Sequence, residues 1–234
     1  MKIEKYEKIG ALKYRLYLDN GEIIDTYDDV ILENELLLKK ELDAHLYNKI
    51  LIDTNLQEYY NACVKYIQTR LRSTKEIDDY LKRKQVTEED RIFIIEKLTK
   101  KGLLNDKYFT KCFINDKLKF TNMGEYRIIN ELKKLNISTP IIEENKYLFN
   151  KEIIQEKINK KIEKTIKSNH KLDNYKLRNK LYNSLLRDGY NPSQVISSLN
   201  HYFYNFIFSY ISTKYLPYFL YIIFGDQSAN ILYL

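Results

Sequence analysis

Apolar residues recur along this chain at intervals of three and four, and the clearest run lies between Tyr59 and Leu104. Tyr59, Ala62, Cys63, Tyr66, Ile67 and Leu71 fall on one face of a 3.6-residue period, which predicts a helix. Ser73 and Thr74 then offer capping oxygens, and Glu76 and Ile77 open a second helix with Ile77, Tyr80 and Leu81 facing inward. Lys82, Arg83 and Lys84 close that helix at the end where cations suit its dipole. Thr87 ahead of Glu88, Glu89 and Asp90 signals a third helix, with Ile92, Ile95 and Leu98 as its buried stripe. Gly102 after Lys100 and Lys101 is the expected stop, and Leu103 and Leu104 fold back onto the core.

Two looser copies of this pattern follow. In the second, Tyr108, Phe109, Cys112 and Phe113 form the first helix, Asn122 caps the next, and Ile128, Leu132 and Leu135 line it. Ser138 and Thr139 before Pro140 read as a cap followed by proline at the start of a helix carrying Ile141, Ile142 and Tyr147. In the third copy, Ile154, Ile158, Ile162 and Ile166 share a face, then Leu177, Leu181 and Leu185. Gly189 stops that helix, Asn191-Pro192 repeats the cap, and Val195, Ile196 and Leu199 continue. The copies are in register. Leu81, Leu132 and Leu185 each stand five residues before Val86, Ile137 or Tyr190, and Thr87, Ser138 or Asn191 comes next. A three-helix unit of this size buries little alone, so stacked copies are expected to share cores and present a long face.

Ahead of the repeats the period changes to two. Leu12, Tyr14, Leu16 and Leu18 alternate, Asp19-Asn20-Gly21 is a tight-turn signal, and Glu22 to Thr26 returns as a partner strand. An isolated hairpin is marginal, so short helices carrying Leu32, Leu36, Leu42, Leu46 and Ile50 are expected to cover it, in a module ending near Asn55.

Composition agrees with a packed helical protein: 44% of residues are hydrophobic and 30% charged, and only 6 Gly and 3 Pro interrupt 234 residues. The 22 tyrosines beside no tryptophan fit an AT-rich coding bias and carry no functional weight. Cys63 and Cys112 sit in helical apolar patterns and read as small core residues in a reducing compartment. The opening MKIEKYEKIG lacks the apolar stretch of a secretory signal, so the expected location is cytoplasmic. The net charge of +7 is unevenly spread. Residues 1–58 hold 8 Lys/Arg against 13 Asp/Glu, a net −5, whereas residues 59–200 hold 30 against 18, a net +12. A basic field on the repeats attracts a polyanion, be it nucleic acid, an acidic protein surface or anionic lipid. Solubility alone is the plainer reading.

Several of these residues together resemble the RecX family, the regulatory proteins of the recombinase RecA. They are Arg72-Ser73-Thr74, Glu76-Ile77, Leu81-Lys82-Arg83-Lys84, and Gly102-Leu103-Leu104-Asn105-Asp106 before Tyr108-Phe109. The second copy adds Gly124, Ile128, Leu132 and Ile137, and the third Lys180-Leu181 leading to Leu186 and Gly189-Tyr190. The specificity lies in the order of weak motifs. Asn105 stands where an acidic residue is common, and the apolar tail runs past the expected end of the third repeat. The resemblance implies a mainly α fold of three tandem three-helix repeats in an elongated arc, with a small N-terminal β-hairpin module. It implies a protein that binds RecA, lodges along the RecA filament on DNA, and inhibits ATP hydrolysis and strand exchange.

The expected organisation is a hairpin module over 1–57, repeats over 58–105, 106–149 and 150–205, and a tail over 206–234. For the stretch from Tyr202 to Phe224 three readings stand: an extended last helix with a further helix after Pro217, a membrane span interrupted by Lys214, or an anomalous chain end. His45, His170 and His201 are scattered, no glycine-rich phosphate loop precedes a lysine, and no nucleophile and base stand together. An enzyme, a cofactor, a metal and a small-molecule substrate are therefore not expected. The candidate contact residues are Arg70, Arg72, Lys82, Arg83 and Lys84 in repeat one, Lys119, Arg127, Lys133 and Lys134 in repeat two, and Lys176, Arg178, Lys180 and Arg187 in repeat three. Expected partners are RecA and its filament on DNA, with direct DNA contact, for a monomer that is not inserted in a membrane. The competing reading is a nonspecific nucleic-acid-binding helical protein or helix-turn-helix regulator that acts without RecA.

Overall fold

The first 27 residues pair as an antiparallel sheet in the order β1 (Ile3–Lys8), β2 (Lys13–Leu18), β3 (Ile23–Tyr27). This computed structural model describes residues 1–169 and 172–203. His170 and the tail beyond residue 203, with its three readings, lie outside the described residues. The expected hairpin is β2–β3, and its turn forms as read, with Gly21 at φ +83° and its amide donating to the Leu18 carbonyl. The additional strand β1 is mostly charged. Only Ile3 is buried, which is why alternation did not reveal it. Leu16 and Leu18 point into the core as expected, whereas Leu12 precedes the strand and is exposed.

Helix α1 (Asp28–Glu33) and the loop after it cover the sheet, burying Val30, Ile31, Leu36 and Leu42. Leu32, expected inside, is exposed. Helix α2 (Ala44–Thr69) then runs 26 residues without a break. The boundary expected near Asn55 falls inside it, because α2 serves two cores. Ile50 packs under the sheet, and Tyr60 and Cys63 pack against the helices that follow. Where the two cores meet, buried Gln57 donates to Asp29 and Asn61, and Lys97 donates to Gln57 and pairs with Glu33 at 2.9 Å.

The helices from α2 onward fall into successive triplets. The first continues with α3 (Thr74–Arg83) and α4 (Glu88–Lys100). The second is α5 (Asp106–Phe120), α6 (Glu125–Lys134) and α7 (Thr139–Glu144), followed by a 3₁₀ turn over Lys146–Leu148. The third is α8 (Lys151–Ser168), α9 (Asn174–Asp188) and a helix α10 over 192–203. The chain divides into two compact units, Met1–Phe109 and one beginning at Thr110, with α5 running across the division.

The repeat is visible atom by atom at the ends of α3, α6 and α9. Gln85, Asn136 and Gly189 each adopt positive φ, at +61°, +55° and +86°. The next amide donates back to a buried leucine carbonyl: Val86 to Leu81 at 3.2 Å, Ile137 to Leu132 at 3.1 Å, Tyr190 to Leu185 at 3.2 Å. This six-to-one bond satisfies a carbonyl left over at the helix end and turns the following apolar residue onto the core. Only the third copy uses glycine for it.

Several inward faces are phased differently from the sequence pattern. In α4 the buried residues are Ile94 and Leu98, and Ile92 is exposed. In α5 they are Phe109, Thr110, Ile114 and Leu118, and Tyr108 is exposed. Leu71 lies beyond the end of α2 and is exposed, Tyr147 is exposed beside buried Phe149, and Ile196 is exposed between Val195 and Leu199. The cap of α6 is Gly124 rather than Asn122.

Candidate functional site

The candidate basic residues separate into those that hold the fold and those that face solvent. In the first unit, Ser73 and Glu76 form a reciprocal capping box at the start of α3, with the Ser73 amide 3.0 Å from the Glu76 carboxylate. That carboxylate also accepts from Arg70 Nη2 at 2.5 Å and pairs with Arg72 at 3.6 Å. Burial pushes the Glu76 carboxyl up, but the bonds from Arg70 and Ser73 and the two guanidinium charges outweigh it, and the net shift is downward.

Arg72 has only 10% of its side chain exposed. Its guanidinium lies 3.6 Å from the Tyr66 ring centroid, Tyr66 stacks on Tyr80 at 4.6 Å, and the Lys84 ammonium sits 5.5 Å over Tyr80. The four side chains form one column joining the end of α2 to the length of α3. Arg72 is thereby committed to packing. Lys82 pairs with Asp78 at 2.7 Å, and Asp78 also accepts from Arg91 Nε at 2.8 Å. Burial pushes the Asp78 carboxyl up, and the bonds and charges of Lys82 and Arg91 bring it below its ordinary value. Arg83 is exposed and has no ion-pair partner among the described residues.

In the second unit, the two glycines of the resemblance meet. The Gly124 amide donates to the Asp188 carbonyl at 2.8 Å, and the Tyr126 amide donates to the Gly189 carbonyl at 2.9 Å. Unpaired donors at the start of α6 are thus satisfied by unpaired acceptors at the end of α9. The backbones approach so closely that a β-carbon at Gly124 would lie 2.5 Å from Gly189 C and O and Tyr190 N. The Tyr190 hydroxyl donates to the Asn122 carbonyl at 3.0 Å, and burial pushes this phenol up to about 12, so it remains a donor. Lys161 pairs with Asp188 at 2.5 Å and fastens α8 to the same junction.

This junction shapes an open groove of about 470 Å³ along α6 and α9. Arg127, Lys134 and Arg187 line it, so three of the candidate cations from two different repeats converge there. All three are exposed and lack an ion-pair partner among the described residues. Glu131, also on the groove, is held by Lys117 at 2.9 Å. Tyr126 and Asn130 line the groove and were not among the expected residues. The signal for them was the glycine pair, whose members lie 65 residues apart and do not announce their contact.

The remaining candidates lie elsewhere. Lys133 is exposed and without an ion pair among the described residues, and Lys119 caps the Phe120 ring at 5.1 Å. Lys176 pairs with Asp173 at 3.4 Å, Arg178 donates to Asn200 at 2.9 Å, and Lys180 donates to Asn169 at 2.6 Å. Among the described residues no group of three or more His, Cys, Asp or Glu is placed to hold a metal, and no helix is long and apolar enough to cross a membrane. The groove sets side-chain cations beside aromatic and apolar surface, and cations so placed attract anions.

Residues 60–98, from the core of α2 to the core of α4, match the family model described as RecX, first three-helix domain. A regulatory protein RecX of Finegoldia magna is 33% identical over 168 residues, which is 68% of this chain and 77% of that protein. A regulatory protein RecX of Streptococcus gordonii is 29% identical over 201 residues, covering 86% of this chain and 77% of its own. The fold matches a crystal structure of regulatory protein RecX with a TM-score of 0.75 at 22% identity, over 82% of this chain and 96% of that one. A crystal structure of RecX from Lactobacillus salivarius matches with a TM-score of 0.58 at 25% identity, over 62% and 95% of the two chains. The chain belongs to the RecX family of regulatory proteins.

Proposed function

We propose that this chain regulates the recombinase RecA by binding it and its filament on DNA in the cytoplasm, inhibiting ATP hydrolysis and strand exchange during recombination and repair. The kinship with relatives named as regulatory proteins supports a binding role over a catalytic one. The observation that carries the reading is chemical. The second helices of the triplets and their ends bear exposed cations that have no ion-pair partner among the described residues, notably Arg83, Arg127, Lys133, Lys134 and Arg187. Arg70, Lys82, Lys84, Lys119, Lys176 and Lys180 are exposed as well and belong to the proposed contact set. Arg72 and Arg178 act by holding neighbouring groups in place.

The test is retention of RecA on the immobilised chain, with and without nuclease treatment. Retention that survives nuclease is the expected result. Retention lost with the nucleic acid, or none in either condition, overturns the proposal, and the first of these outcomes favours a nucleic-acid-binding protein that acts without RecA.

A further inference from the structure

We propose that the α6–α9 groove is a docking site for a short acidic peptide segment of a protein partner, one that carries apolar side chains between its carboxylates. The inference rests on the reading that the chain works by binding another protein. It adds which surface engages and with what chemistry.

Charge selects an anion first. Arg127 and Lys134 project from α6 and Arg187 from α9 into one groove, and none has an ion-pair partner among the described residues. Away from the groove in the same unit, Lys160 and Lys161 are paired with Glu156 and Asp188. Two guanidiniums offer planar forks that match a carboxylate edge on.

Two observations then favour a carboxylate peptide over a phosphate chain. Phosphate sites commonly use the free amides at a helix N-terminus. Here the Gly124 and Tyr126 amides are already spent on the Asp188 and Gly189 carbonyls. The groove also offers apolar surface in Leu186, Pro192 and the exposed Tyr126 ring. Its volume of about 470 Å³ suits a few side chains of a peptide, within the range of roughly 300–1,000 Å³ common for compact ligand clefts.

The test uses the full chain and a fluorescent peptide alternating glutamate and leucine, read by anisotropy. An unlabelled single-stranded oligonucleotide of similar length serves as competitor. Arg127→Glu and Arg187→Glu are each expected to weaken the peptide by about tenfold or more, because each replaces a cation at a charge-paired contact by a like charge. Lys164→Glu, an exposed change of the same sign on α8 away from the groove, is expected to leave binding within about twofold. Circular dichroism confirms that the variants fold.

Equal losses in all three variants would reduce the effect to net charge and overturn the proposal. So would an oligonucleotide that binds and is lost with the groove substitutions while the peptide is not bound. RecA retention is measured in parallel on the same proteins. If the wild-type chain retains RecA but no peptide binds, the groove assignment falls and the RecA reading stands. If the peptide binds through the groove and RecA is never retained, the RecA reading falls.

Discussion

Gly124→Ala tests the junction that builds the groove. The new β-carbon would lie 2.5 Å from three backbone atoms of Gly189 and Tyr190, none of which belongs to a flexible side chain. Ordinary carbon contacts sit near 3.5–4.0 Å, so α6 and α9 must separate by roughly 1 Å. Overpacking of that kind costs about 1–3 kcal/mol. The separation also stretches the bonds from Gly124 to Asp188 and from Tyr126 to Gly189, each worth roughly 1 kcal/mol net. The expected loss is therefore about 3 kcal/mol. Gly102→Ala is the control. Gly102 has φ +71° with nothing within 4 Å of a β-carbon, so only the left-handed backbone is penalised, at about 1 kcal/mol. Urea unfolding followed by circular dichroism compares the two, and amide exchange at Tyr126 reports the junction locally. If Gly124→Ala loses no more stability than Gly102→Ala, and the Tyr126 amide stays as protected as in the wild type, the close crossing does not carry the energy assigned to it.

Arg72→Ala is expected to cost about 1–2 kcal/mol through loss of its stack on Tyr66, whereas Arg83→Ala, an exposed change, is expected to stay within about 0.5 kcal/mol; thermal melts of both variants separate the structural arginine from the solvent-facing one. The Glu76 carboxyl is held below its unfolded value of 4.5, so its contribution to stability is present above that pH and is lost as the pH falls through the lowered folded value. Glu76→Gln should therefore narrow its stability gap to wild type on acidification below about pH 4.5, and a gap that stays constant across that window in urea titrations would sink the assignment. Cys63 is fully buried and its thiol is pushed up to about 12 by burial, so iodoacetamide at mildly alkaline pH should leave it unmodified in the native protein and label it in urea, as mass spectrometry of the peptides will show.

What the sequence made legible was mostly local. The capping residues Ser73 and Thr87 did what their spacing promised, because a side-chain oxygen and an amide three residues on need nothing from the rest of the fold. Leu81, Leu132 and Leu185 were placed correctly by register. The left-handed residues beside them were legible only at Gly189. Gln85 and Asn136 take the same conformation under tertiary constraint, without the residue type that advertises it. Strand β1 was hidden because an edge strand buries little and is built here from Lys and Glu. The continuity of α2 was hidden because the change from a sheet-facing to a helix-facing role leaves no break in a helical pattern. The basic clusters were found by composition, but sequence does not separate Arg72, which is stacked and enclosed, from Arg83, which is exposed. The convergence of Arg127 and Lys134 with Arg187 depends on a contact between residues some 60 positions apart, and a charge count cannot reach it.

The proposed regulation of RecA by direct binding is read from the rate of ATP hydrolysis by RecA on single-stranded DNA, measured as this chain is added in increasing amounts. Suppression is expected at less than one chain per RecA monomer, with recovery of the rate when Arg127, Lys134 and Arg187 are replaced by Glu. A rate that stays unchanged up to equimolar chain would contradict it.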